Sequence, residues 1–183
     1  MSYDKYSYYV LCEDNDHFTF VYSYLKKKGA NGRRINLAKE FPRGRGSGKK
    51  FVELSYAEEV RKINQRPENT VLIVLCDIDK ENDEDVVDSF ATKNKKVFIA
   101  FPKRNIETWF YFFANRSDPS STDEMNDRKG LPGQNSKYKP SWCGEQFVDI
   151  INGIKNGQSP LHLPPSLSAT AERVIEYEKD HHC

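Results

Sequence analysis

The chain has 183 residues, of which 37% are hydrophobic and 30% charged, and its net charge is +1. That length is enough for one domain with its own core, and the composition argues against a disordered chain. Near-neutral charge removes any global pull toward nucleic acid, and no apolar run is long enough to span a bilayer, so no membrane association is expected.

Eleven Phe and ten Tyr can supply much of the core area. Charge is uneven along the chain. Residues 26–50 are rich in Lys and Arg, while residues 77–88 are strongly acidic. A basic lobe beside an acidic pocket suits a phosphate backbone held near metal ions. The four cysteines show no zinc-type spacing, and the N-terminus is polar and tyrosine-rich. The expected setting is a reducing cytoplasm.

In chain order, Tyr6–Cys12 reads as a strand whose near-continuous apolar run fits the centre of a parallel sheet. Asp14 or Asp16 is placed to cap a helix carrying Phe18, Val21, Tyr22 and Leu25, which stops at Lys26-Lys27-Lys28-Gly29. Arg33–Leu37 is a short strand. Phe41–Lys50 reads as a basic, glycine-rich loop. Its Arg43–Lys50 stretch is not a phosphate-binding P-loop, which needs glycine at position 43 and Ser or Thr at position 50. Ser55 is expected to cap a helix through Ile63, with Glu58 completing a capping box.

Val71–Cys76 is the strongest strand, followed by a helix over Asp83–Lys93 and a strand over Lys96–Phe101. Asn105 is expected to cap an aromatic helix, Ile106–Phe113. Asn115–Pro140 is polar and reads as a long mobile loop, before helices over Gln146–Ile154 and Ser168–Lys179. The expected organisation is a core over residues 1–115 and a loop with a C-terminal helical extension over residues 116–183, packed on the same domain.

Strands alternating with helices predict an α/β fold, a mostly parallel sheet with helices on both faces. Right-handed crossovers then bring the strand C-termini to one edge, where α/β folds bind ligands. Glu13 ends the first strand, and Asp77-Ile78-Asp79 ends the second apolar run. A carboxylate at the end of a buried strand is unfavourable unless paired, and three converging hard oxygen donors suit magnesium or manganese. Asp77 and Asp79 project to the same side of an extended chain.

This arrangement resembles a Toprim domain, the metal-binding module of topoisomerases, primases and OLD-type nucleases. Glu13 in Val10-Leu11-Cys12-Glu13 matches the family's glutamate after the first strand, and Asp77-Ile78-Asp79 matches its Asp-x-Asp pair. Phe101-Pro102-Lys103-Arg104-Asn105-Ile106-Glu107-Thr108-Trp109 is similar to a segment of small stand-alone RloB-like and OLD-related proteins of phage defence. The resemblance covers about the first 115 residues. It implies a Toprim-like fold and a Mg2+- or Mn2+-dependent nuclease that hydrolyses DNA or RNA. It also implies a separate ATPase or sensor chain as partner, because no ATPase domain is present, and it leaves a homo-oligomer open.

Under this reading Glu13, Asp77 and Asp79 are the metal-binding and catalytic residues. Arg45, Lys49, Lys50 and Arg104 would contact nucleic-acid phosphates, with Asp16 and Glu107 as secondary candidates. Each has a plainer alternative: a helix-terminal charge for Glu13 and Glu107, a helix cap for Asp16, a solvated turn for the Asp pair, an exposed loop for Arg45, Lys49 and Lys50, and a surface salt bridge for Arg104. The competing function is a non-catalytic Toprim-like module that docks a partner ATPase or binds nucleic acid. A nucleotide-processing enzyme with the same metal chemistry is a third possibility.

Overall fold

The computed structural model describes residues 2–42, 48–78, 90, 94–103, 105–115, 139–158 and 162–182. Four strands form one parallel sheet: β1 (Ser7–Cys12), β2 (Ile35–Leu37), β3 (Thr70–Leu75) and β4 (Val97–Ala100), in the order β2-β1-β3-β4. Five helices are described: α1 (Asn15–Lys27), α2 (Lys49–Asn64), α3 (Glu107–Asn115), α4 (Pro140–Lys155) and α5 (Pro165–His182). The molecule is therefore an α/β protein with an all-parallel sheet and a helical C-terminal region.

Side-chain alternation along the strands builds two cores, one on each face of the sheet. Val10, Cys12, Val71, Ile73, Leu75 and Ala100 point to one face, under α1, α3, α4 and α5. Leu11, Leu72, Val74, Cys76, Val97 and Ile99 point to the other, where Val52 and Ile63 of α2 and Phe90 cover them. Because β3 is buried on both faces, it reads as an unbroken apolar run with no alternation. The aromatic helix α3 is core: Trp109, Phe110 and Phe113, with Phe147 of α4, surround Phe20 of α1 at ring-centroid distances of 5.7–6.2 Å. Residues from β1 to α5 join this one cluster, so the C-terminal helices complete the core begun by the first strands.

Helices α1 and α4 approach closely at Gly144. A methyl group there would overlap the backbone carbonyl oxygen of Phe20, which cannot swing aside. Gly144→Ala is expected to destabilise the fold by about 1–3 kcal/mol, the usual range for overpacking. A urea melt measures it, and an unchanged midpoint would mean that α1 and α4 do not pack this tightly.

Several expected boundaries move. Ser55 is not a cap: α2 begins six residues earlier, at Lys49, and Ser55 is buried inside it on the face of Val52 and Glu59. No helix-breaking residue stands between Gly48 and Ser55, and burial of Val52 against the sheet favours the added turn. Glu58 pairs with Lys62 and Lys39 instead of closing a capping box. The strand expected from Arg33 begins at Ile35, because Gly32–Arg34 form a 3-10 turn in which Asn31 accepts from the Arg33 N–H. The two C-terminal helices are longer than their periodicity suggested, α4 starting at Pro140 and α5 at Pro165. Proline suits a first helical turn, where no intrahelical N–H bond is needed. The helix expected over Asp83–Lys93, apart from the buried Phe90, and the loop over residues 116–138 lie outside the described residues. No described helix is long and apolar enough to cross a membrane.

Candidate metal centre at the strand ends

Parallel pairing sets the site. β1 and β3 run in register from Ser7↔Thr70 to Cys12↔Leu75, so Glu13 and Asp77 leave the sheet at neighbouring points. The Asp77 backbone N–H donates to Glu13 Oε1 at 2.6 Å. Beyond β3 the extended chain continues: Ile78 N–H donates to Pro102 O at 2.8 Å, and Ile78 bridges Lys103. This brings Pro102, Lys103 and the start of α3 to the same rim. Asn105 caps α3 as expected, its Oδ1 accepting from the Thr108 N–H at 3.2 Å.

His17 is absent from the expected site residues, and the structure places it between Asp14 and Asp77. Asp14 caps α1 by accepting from the N–H groups of Asp16 and His17. The first helical turn then aims His17 inward, and it is 1% exposed. Its Nδ1 lies 2.8 Å from Asp14 Oδ1 and its Nε2 lies 3.0 Å from Asp77 Oδ1. Burial alone would lower its pKa, but hydrogen bonds to the two carboxylates reverse this and lift it to about 10. One signal was available. With α1 starting at Asn15, His17 shares the buried face of Phe20, Val21 and Tyr24 at helical spacing, whereas Phe18 and Tyr22 lie only half-buried at its margin.

The carboxylates disturb one another. Glu13 is half-buried, and burial together with the charge of Asp77 pushes its pKa up to about 7. Glu107, half-buried at the start of α3, is also raised, by burial and then by Asp77. Glu107 therefore feels the charge of Asp77 from the start of α3 but is not among the clustered donors. Both shifts come first from burial, with the charge of Asp77 adding to it. Donor atoms of Glu13, His17 and Asp77 all lie within 4.8 Å of one another, the geometry of a small cation site. These oxygen and nitrogen donors fit a divalent cation.

Other expected residues fall in different places. Lys49 and Lys50 are in the first turn of α2, not in the loop expected over Phe41–Lys50, of which residues 43–47 lie outside the described residues. Gly48 has φ +121°, a conformation that favours glycine, and a Cβ built there would lie 3.8 Å from Glu13 Oε2. The positive end of α2 thus faces the Glu13 carboxylate. Asp16 is exposed in the first turn of α1 and is not among the clustered donors. Asp79, Arg45 and Arg104 lie outside the described residues. Cys12 and Cys76, read as small buried hydrophobes, are buried free thiols, and burial pushes both pKa values up. Comparison of the chain with protein-family models, with curated proteins and with solved structures found no match.

Proposed function

We propose that the protein is a divalent-cation-dependent phosphodiesterase acting on nucleic acid. The observation that carries this reading is the meeting of Glu13 and Asp77 where β1 and β3 end, joined by a hydrogen bond, with Glu13 raised to about 7. Such crowding is unfavourable in the bare chain and is relieved by a cation. Glu13 and Asp77 would hold that cation, with Asp79 added on the strength of the Toprim resemblance. Bound there, a Mg2+ or Mn2+ ion supplies an activated water and neutralises charge on the phosphoryl oxygens.

The chain's own groups account for the rest. Lys49 and Lys50 begin α2 beside Glu13, so a phosphodiester reaching the rim meets two ammonium groups and the positive end of a helix. Asp14 and His17 fix the orientation of the Asp77 carboxylate. Glu107, whose pKa burial raises, begins α3 and is kept as a secondary acid of the proposed site. The same resemblance extends the proposal to phage defence, with a separate ATPase or sensor chain as partner.

The test is nicking of supercoiled plasmid and cleavage of a labelled single-stranded RNA, each with Mg2+, with Mn2+ and with chelator. Glu13→Gln removes one donor charge while keeping the side chain's shape. Cation-dependent cleavage that falls about tenfold or more in Glu13→Gln is the expected result. Cleavage indifferent to chelator, or equal in the two chains, would overturn the proposal. Lys49→Ala with Lys50→Ala is expected to raise KM for DNA and to flatten its salt dependence, with a smaller change in kcat. Salt-series kinetics measure this. An unchanged slope would remove both lysines from the nucleic-acid contact.

A further inference from the structure

We propose that His17 is a nitrogen ligand of the cation centre, so that Glu13, His17 and Asp77 form a mixed donor set that takes manganese(II) or another first-row transition ion ahead of magnesium. This rests on the reading that Glu13 and Asp77 hold a cation, and it adds a ligand of a different chemical kind.

Three observations lead to it. First, the spacing is that of neighbouring ligands. Donors about 2.1 Å from a common ion and at right angles to each other are separated by about 3.0 Å, and His17 Nε2 lies 3.0 Å from Asp77 Oδ1. Second, the far nitrogen is already held. Asp14 Oδ1 is 2.8 Å from Nδ1, which is the carboxylate–imidazole arrangement that fixes the ring and its tautomer behind a metal-ligating nitrogen. Third, the third donor is in place, since Glu13 offers a carboxylate oxygen within 4.8 Å of both other donors.

In the metal-free chain the Nε2 proton faces Asp77. A cation entering between Nε2, Asp77 and Glu13 replaces that proton, which leaves to solvent. The imidazole becomes neutral and bonds through its Nε2 lone pair, while Nδ1–H stays on Asp14. Imidazole nitrogen suits transition ions, whereas magnesium prefers oxygen donors and water. A purely carboxylate rim would have no such preference.

The experiment uses Mn2+ as the probe on the full chain. Free Mn2+ is counted by its EPR signal to give affinity, and pulsed EPR of the bound ion reads nitrogen-14 coupling. The expected result is nitrogen-14 coupling in the wild type that vanishes in His17→Gln. Mn2+ affinity should fall about 10–100-fold in that variant, and Mg2+ affinity, followed by competition, should change much less. His162→Ala/His181→Ala/His182→Ala, in which His17 is the one imidazole left, should keep the coupling. If His17→Gln does not fold, the spectrum of this triple variant grown with nitrogen-15 histidine still decides, because a His17 ligand must change isotope.

Two different failures are distinguishable. Mn2+ bound without nitrogen coupling, or with equal affinity in His17→Gln, would overturn the nitrogen ligand and leave the Glu13–Asp77 cation standing. No binding of Mn2+ or Mg2+ to the wild type would overturn both.

Discussion

Asp77→Ala is expected to reduce cation-dependent cleavage by about 100-fold or more, and also to lower stability by about 1–3 kcal/mol. The two losses have separate causes. Activity falls because a donor is removed from the place where charge develops on the phosphate. Stability falls because the buried His17 Nε2, 3.0 Å from Asp77 Oδ1, loses its partner while the Nδ1 contact to Asp14 remains. Asp77→Asn separates the effects. Its amide oxygen can still accept from Nε2–H, so the urea midpoint should return toward the wild-type value, while the lost charge should keep cleavage low. A chain in which Asp77→Asn folds normally and cleaves at the wild-type rate would remove Asp77 from the reaction.

The second large effect concerns the opposite end of α5. Glu178 is 6% exposed and is held by Lys28 at 2.8 Å, by Lys155 and by the hydroxyls of Tyr3 and Tyr24. It thereby ties the last helix to the N-terminal segment, α1 and α4. Burial opposes its ionisation, but Lys155, Lys28 and Tyr3 outweigh burial and hold its pKa down to about 2. Glu178→Ala leaves two lysines gathered around an absent charge and is expected to cost about 3–5 kcal/mol. The pH dependence follows from the direction of the shift. A carboxylate whose folded pKa is depressed contributes its full stability above the unfolded value and loses it as pH falls through the folded value. The wild type should therefore weaken between about pH 4.5 and about pH 2, and Glu178→Gln should flatten that part of the curve. Thermal melts across the acid range test this. Parallel wild-type and variant curves would mean that folding does not depress the Glu178 pKa.

The two largest effects were not equally visible in the sequence. Asp77 was legible because it interrupts six consecutive apolar residues, and a strand buried on both faces leaves that signature whatever surrounds it. Glu178 carried no signal, because its partners Lys28 and Lys155 come from distant helices. Similarly, Glu13 was marked by its position after a strand, whereas His17 lies on a helical face that becomes the inward one through packing on the sheet and α4. Asp14, not Asp16, caps the helix, which puts His17 in its first turn.

Local physics, read from the sequence alone, determined the α/β class, the parallel strands, the aromatic core helix and the acids that end the strands. These follow from periodicity, strand burial and capping, which involve neighbours a few residues apart. Only the tertiary structure decided the register of β1 against β3, the buried His17 between Asp14 and Asp77, and the start of α2 beside Glu13. Each of these depends on which distant segments pack together, and the energy of such packing resides in contacts that no short window of sequence contains.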